Sequence, residues 1–379
     1  MKRILIVSNN LDGGGIQKAL INMLKELSTK YDVTLLLFSC TGLLISEVSP
    51  AVKIITARPC YKMLGLTRNE LKKYPMLFGL KAVLKAVASL FGRSAAMRLL
   101  GLFQPKIDGY DVAISSSHLT FDHGFENGCA DFVLQKTTAP QKMCLVHCDY
   151  KNSGTGSEKN NQTYLGFDKI ICVSDSVGRR FKEIAPALKE KTVAIRNFYD
   201  LEIPEKAELD TVNYDKSKIN VLMVARLSPE KGIGRALEAL KRSGRSDIAF
   251  HIVGGGPCEG ELKKLCRDLE IEEAVVFYGE DNNPFRYMRN ADYLLVSSFH
   301  EAAPMIFDEA HALGLRIIST ELLSAREMLG EDDVVCENST EGITKALACL
   351  ERYDDRRLPV LSNSERLGKY VEIIEGETK

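Results

Sequence analysis

The sequence contains no apolar run near the roughly 18 residues that a membrane-spanning helix needs. Its opening, Met1 to Ser8, is basic and then apolar, but Asn9, Asn10 and Asp12 follow where a secretory signal would stay apolar. A buried first strand is therefore expected there. Low-complexity tracts are also missing, which excludes fibrous and disordered classes. The ten cysteines are scattered, and the closest pair singled out, Cys144 and Cys148, matches no common zinc spacing. Cys144 and Cys172 lie in strand-like apolar runs, so buried free thiols in a reducing cytoplasm are expected rather than a disulfide framework.

Net charge is almost missing as well, at −1, but this hides an asymmetry. Residues 1–200 hold 27 Lys and Arg against 17 Asp and Glu, and residues 201–379 hold 23 against 34. A basic front half joined to an acidic back half predicts two domains with different partners. A length of 379 residues also exceeds what one ordinary core organises.

Short β-rich apolar runs alternate with longer helical patterns, the signature of parallel sheets built from βαβ units. Strands are expected at 3–8, 33–38, 53–56, 111–115, 142–147, 169–173 and 192–195 in the front half. In the back half they are expected at 220–225, 249–253, 275–278, 293–297 and 316–319. A polar, proline-containing stretch from Asp200 to Lys218 reads as a linker. This predicts an α/β chain of two facing doubly wound domains: 1–200, joined by a C-terminal helix at about 362–379 packing back on it, and 201–361.

Ligands in such domains sit beyond the carboxyl ends of the strands. Three loops there carry candidate chemistry. Arg226 and Lys231 share one strand-to-helix loop, where a guanidinium fork and a point charge could hold one diphosphate, although a solvated loop with incidental cations also fits. Gly254 and Gly255 sit in a glycine turn that permits close backbone approach, which tight turns require in any case. In His300-Glu301-Ala302-Ala303-Pro304-Met305-Ile306-Phe307-Asp308-Glu309, Pro304 suits a helix start. The N–H groups from Ala302 to Met305 would then form an anion seat. Glu301 in the turn and Glu309 on the helix could bracket a sugar nucleotide; they could also be a cap and a surface residue.

The spacing of Glu301 and Glu309 resembles the E-x7-E motif of retaining GT-B glycosyltransferases of the family 4, group 1 type, in the cell-surface polysaccharide branch. Arg226-Leu227-Ser228-Pro229-Glu230-Lys231-Gly232 resembles that family's phosphate-binding segment, and Val253-Gly254-Gly255-Gly256-Pro257 its glycine turn. Leu11-Asp12-Gly13-Gly14-Gly15-Ile16-Gln17 resembles its N-terminal glycine loop. The motifs stand in the family's order along nearly the whole chain. Ala225 and Ala302 depart from the pattern, standing where glycine is commoner, and Asp308 replaces an apolar residue.

The resemblance implies the GT-B fold, two facing Rossmann-like domains with a cleft between them. Arg226 and Lys231 would hold the donor diphosphate, Glu301 the transferred sugar, and Glu309 the ribose. Ala302, Ala303, Pro304 and Met305 would line the donor seat with Gly254, Gly255 and Glu280, base recognition falling around Tyr278 to Pro284. Gly13, Gly14 and Gly15 would approach donor phosphate and acceptor, and His147 would stand beside the reacting sugar. The reaction implied moves a sugar from a nucleotide sugar, UDP-linked by family frequency, to a glycan or lipid-linked hydroxyl with retention. No D-x-D triad is present, so no metal or other cofactor is implied beyond the donor as co-substrate.

Between Lys62 and Lys106 nine Lys and Arg stand against one acid, Glu70. Residues 76–91 add helical apolar spacing. A basic amphipathic helix predicts an anionic membrane surface as partner, and so a cytoplasmic protein peripheral on the inner face of a membrane. A helix packed on the front sheet with a solvated basic edge is the other reading. Nucleic acid is not expected, since no recognised module is present. Other readings of the whole chain are a same-fold epimerase, a soluble glucan or sucrose-type synthase, or a non-catalytic transferase-like partner; the last would fit loss of Glu301, Glu309, Arg226 or Lys231, and all four are present.

Overall fold

The computed structural model describes residues 1–353 and 356–376; the last three positions of the expected C-terminal helix lie outside them. The chain forms two units. One takes in Met1–Phe198 and the segment from Asn363 onward, the other Tyr199–Ser362.

In the first unit seven strands make one parallel sheet: β1 (Arg3–Ser8), β2 (Asp32–Leu37), β3 (Lys53–Thr56), β4 (Val112–Ser115), β5 (Gln141–Val146), β6 (Lys169–Cys172) and β7 (Thr192–Ala194). Their order is β3-β2-β1-β4-β5-β6-β7. Strands such as Ile4–Val7 and Leu35–Leu37 are buried end to end because helices cover both faces of a parallel sheet, which is why they read as unbroken apolar runs. The helix Ser364–Glu375 packs on this unit: Tyr370 stacks on Phe198 at 5.3 Å, and Lys2 Nζ donates to the Ile374 carbonyl at 2.6 Å.

The second unit repeats the plan with β8 (Ile219–Val224), β9 (Ile248–Val253), β10 (Val275–Gly279), β11 (Tyr293–Val296), β12 (Arg316–Thr320) and β13 (Val334–Cys336), in the order β10-β9-β8-β11-β12-β13. Each of the twelve expected strands is found with ends within a residue of expectation, and β13 is additional. The stretch read as a linker holds the helix Ile203–Glu208, whose Ile203 and Ala207 are buried in the second core with Phe285, Tyr287 and Phe307. All ten cysteines are free thiols, with Cys129, Cys144, Cys172 and Cys266 buried.

Residues 75–91 form the amphipathic helix Pro75–Phe91, followed by the helix Arg93–Gly101. One of the nine basic residues counted there is not a surface charge. Arg93 is 3% exposed, and its Nε donates to Asp131 Oδ2 at 2.8 Å. Lys81 Nζ donates to the Met63 carbonyl at 2.8 Å, partly buried. Among the described residues no helix is long and apolar enough to cross a membrane.

Candidate functional site

In the second sheet the strand order reverses between β8 and β11, and the loops leaving these neighbours carry the charged candidates. The β8 loop turns through the 3-10 segment Pro229–Lys231 into the helix Ile233–Ser243. Gly232, at φ +63°, makes that turn; a Cβ there would lie 2.2 Å from the Ser297 carbonyl oxygen, so the two loops touch backbone to backbone. Ser297 Oγ donates to the Lys231 carbonyl at 2.9 Å.

Lys231 Nζ donates to Glu301 Oε1 at 2.9 Å, and Ser298 Oγ donates to the same oxygen at 2.7 Å. Both side chains are partly exposed, at 27% and 19%. Behind them Pro304 caps the helix Met305–Ala312. Ala302 and Ala303 lead into this helix, and Ser324 Oγ donates to the Ala302 carbonyl. Glu309 is buried on the helix. A cation, a carboxylate and a helix start thus share one edge of the sheet, an arrangement suited to an anionic ligand bearing hydroxyl groups.

Arg226 takes a different partner. It is exposed, and its Nη2 donates to Glu230 Oε1 at 3.2 Å, where Ser228 Oγ also donates at 2.6 Å. The Ser228 bond is the largest influence holding the Glu230 carboxyl below its ordinary value.

The glycine turn after β9 is demanded by its neighbours. A Cβ on Gly254, at φ +138°, would stand 1.9 Å from the Ala225 carbonyl oxygen. Gly255 is different: its missing Cβ would face Glu280, at 3.4 Å from Cβ and 3.5 Å from Oε2, an ordinary contact. Glu280 itself is exposed. Nearby, burial works to raise the Asp281 carboxyl, but the Asn283 N–H, the Tyr287 hydroxyl and the Arg286 guanidinium together hold it low.

Arg235 is a residue the sequence reading missed. Its guanidinium is buried, donating from Nε to the Ser297 carbonyl at 2.9 Å and from Nη2 to the carbonyls of Ser297 and Ser298 at 2.6 and 2.8 Å. Phe299 lies over it at 3.9 Å. It therefore holds the strand end from which Glu301 projects. Nothing in the sequence beyond a cation just inside the helix Ile233–Ser243 points to this.

In the first unit the reversal falls between β1 and β4. The β1 loop leads through exposed Gly13 and Gly14 to the helix Gly15–Leu27. A Cβ on Gly13 would meet nothing within 4 Å, and on Gly14 only the flexible Gln17 side chain. Packing does not explain glycine at position 13. His147 follows β5, with Nε2 enclosed and unpartnered. Burial first, and then His118, push it down to about 3 against the opposing pull of a Ser116 backbone hydrogen bond. His118, also missed in the sequence, has an enclosed unpartnered Nδ1, and burial lowers it to about 4. Ser115 pairs with Cys144, so both histidines lie three residues beyond one rung of the sheet. His147 lines a small cavity with Ile16, Leu20, Ser116, Asn197 and Tyr370.

Among the described residues no group of three or more His, Cys, Asp or Glu side chains is arranged to hold a metal ion.

Two doubly wound parallel sheets, with a cation–carboxylate pair at the switch point of the second, define a protein of GT-B architecture. An Anabaena protein, HepE, solved with UDP and glucose shares this fold at a TM-score of 0.63 and 17% identity, over 92% of this chain and 89% of its own. Residues 206–365, nearly the whole of the second unit, match the family described as glycosyl transferases group 1. The N-acetylgalactosamine-N,N'-diacetylbacillosaminyl-diphospho-undecaprenol 4-alpha-N-acetylgalactosaminyltransferase of Campylobacter jejuni is 32% identical over 146 residues, 38% of this chain and 39% of that protein. The amylovoran biosynthesis glycosyltransferase AmsK of Erwinia amylovora is 32% identical over 158 residues, 39% of this chain and 38% of its own length. These alignments span about two fifths of those relatives.

Proposed function

We propose that the chain is a glycosyltransferase of cell-surface polysaccharide assembly, moving a sugar from a UDP-sugar to a hydroxyl of a glycan or lipid-linked acceptor with retention of configuration and without a metal. One observation carries this reading: Lys231 and Glu301 meet at 2.9 Å beside the start of the helix Met305–Ala312, within the segment that matches the group 1 family. The Campylobacter and Erwinia relatives support the class of acceptor, and the UDP bound to HepE supports the donor.

The acceptor oxygen forms its bond to the anomeric carbon on the face from which the diphosphate departs. The bond from that carbon to the phosphate oxygen breaks, its electron pair stays with UDP, and the acceptor proton passes to the departing oxygen. Lys231 and the N–H groups at the helix start offset the charge that builds on the diphosphate. Glu301 accepts hydrogen bonds from the transferred sugar, and Glu309 from the ribose. Arg226 exchanges Glu230 for a phosphate when donor arrives. Gly13 to Gly15 admit donor phosphate and acceptor, and neutral His147 accepts or donates a hydrogen bond at the sugar. A cytoplasmic chain peripheral on the inner face of a membrane, touching its anionic surface through Lys62–Lys106, would meet a lipid-linked acceptor.

A thermal-shift panel of UDP, GDP and ADP tests the donor class, because a ligand of the folded state raises the midpoint by mass action. UDP is expected to raise it most, and no shift with any of the three would sink the reading. Transfer from a UDP-sugar, with the product anomer read by NMR, tests retention; addition of EDTA tests metal independence.

A further inference from the structure

The helix Pro75–Phe91 is poorly covered for an apolar segment of 17 residues: only Leu84 and Ala88 are buried. On one flank of that buried line, Met76, Leu80, Val83, Val87 and Leu90 follow one another at alternating steps of four and three residues, a straight apolar stripe along a helix. Met76, Val83 and Leu90 are 90%, 57% and 74% exposed, with Leu80 and Val87 half-buried. Phe91 at the helix end is 69% exposed, and Leu102 and Phe103 just beyond the next helix are 76% and 61% exposed. A surface this apolar on a water-facing helix needs an occupant.

Charge identifies it. Arg68, Lys72, Lys73, Lys85, Arg98 and Lys106 are exposed along this segment, while the one acid, Glu70, is turned back to cap the short helix Arg68–Leu71 through Thr67. Among the described residues, Lys85 alone of these cations forms an ion pair with a carboxylate from outside the segment, Glu126, at 3.5 Å with both groups well exposed. A second copy laid on the stripe would bring like charges together. An anionic bilayer surface would take the cations at its headgroups and the stripe among its acyl chains.

We infer that the stripe Met76-Leu80-Val83-Val87-Leu90, with Phe91, inserts into an anionic lipid surface, so that membrane docking is hydrophobic as well as electrostatic. The inference rests on the membrane partner named above and gives it a contact face. No residue of the stripe belongs to the proposed sugar-transfer machinery.

Co-sedimentation of the full chain with phosphatidylglycerol-containing and with pure phosphatidylcholine vesicles, at low and at high salt, tests it. The chain is expected to sediment with the anionic vesicles and to keep part of that binding in high salt. Val83→Gln with Leu90→Gln should abolish the salt-resistant part and lower total binding at least about tenfold, since two apolar groups would no longer leave water. Lys72→Gln with Lys73→Gln should lower only the salt-sensitive part, by roughly fivefold per cation. UDP binding and melting temperature are read on each preparation. Both substituted apolar positions are exposed, so neither quantity should move. Anionic vesicle binding unchanged in the Val83/Leu90 variant would overturn the inference, as would no binding by the parent chain. A parent dimer that this variant converts to monomer would overturn it too, assigning the stripe to a second copy. A chain that binds UDP but no vesicles removes the docking face and leaves the transferase reading intact; one that binds vesicles and no nucleotide does the reverse.

Discussion

Lys231 and Glu301, 70 residues apart in sequence, meet at 2.9 Å, cation against carboxylate. Ser298 shares the same carboxylate oxygen. On the proposed reading a donor enters this bond, placing phosphate at the ammonium and a sugar hydroxyl at the freed carboxylate.

Lys231→Ala should therefore lower kcat for sugar transfer by about 10²-fold or more, the usual scale for losing one donor that offsets leaving-group charge. Glu301→Gln keeps the shape but weakens acceptance of sugar hydroxyls, so kcat/KM should fall while UDP affinity holds. Steady-state kinetics with calorimetric UDP titration separates the two, and wild-type turnover in either variant would remove that residue from the site.

Arg235 acts through the loop it holds. Arg235→Met strips the Ser297 and Ser298 carbonyls of a buried donor and should cost about 2–3 kcal/mol in urea denaturation. The donor KM of the folded fraction should rise as well. Arg235→Lys should restore part of the stability but less of the donor affinity, because one ammonium cannot reproduce bonds from both Nε and Nη2. Equal recovery of both would reduce Arg235 to a packing role.

The two glycine loops should respond oppositely to one methyl group. Gly254→Ala places a Cβ 1.9 Å from the Ala225 carbonyl oxygen at φ +138° and should cost on the order of 2 kcal/mol or more. Gly13→Ala meets open space, so the melting temperature should hold while kcat/KM falls where substrate needs that gap. A Gly13→Ala enzyme with full activity would show that no ligand comes close there.

Acid should destabilise the chain through its enclosed histidines. His147 and His118 are pushed from an ordinary 6.5 to about 3 and about 4 by burial, and His251, set between Tyr278 and Asn220, to about 4. Below pH 6.5 the unfolded chain binds protons that the folded chain refuses, so stability is full above that pH and falls toward pH 4 to 3. The pair His118→Gln and His147→Gln should flatten this slope relative to wild type in denaturation curves taken between pH 4 and 7. An unchanged slope would mean that both rings accept protons when folded.

The strands were readable because parallel strands buried on both faces are continuous apolar runs. The missed strand β13 is three residues long, partly exposed, and preceded by Gly330-Glu331-Asp332-Asp333, so it offers no periodicity. The helix Ile203–Glu208 was hidden for a similar reason: only Ile203 and Ala207 of its residues are buried, too few to outweigh polar neighbours. Loop positions in the second unit followed from the strands, while the partners did not. That Lys231 takes Glu301 while Arg226 takes Glu230 depends on which loops lie side by side. Arg93 reads as surface charge in the sequence, and only the fold sets it against Asp131, 38 residues on. His118 beside His147, and Arg235 against the Ser297 and Ser298 carbonyls, likewise depend on strand order, which one-dimensional spacing does not carry.

The return of the helix Ser364–Glu375 to the first unit makes that unit discontinuous in sequence. Cutting the chain at Phe198 would strip Tyr370 and Ile374 from its core and leave the Phe198 ring without its stacking partner. Chimaeras that exchange halves with related chains at a single crossover would therefore inherit a mismatched terminal helix. Recombination that keeps Phe198 with its own Tyr370 needs two junctions, one near Phe198 and Tyr199 and one near Ser362 and Asn363, and this constrains how chains of this plan could exchange a whole unit.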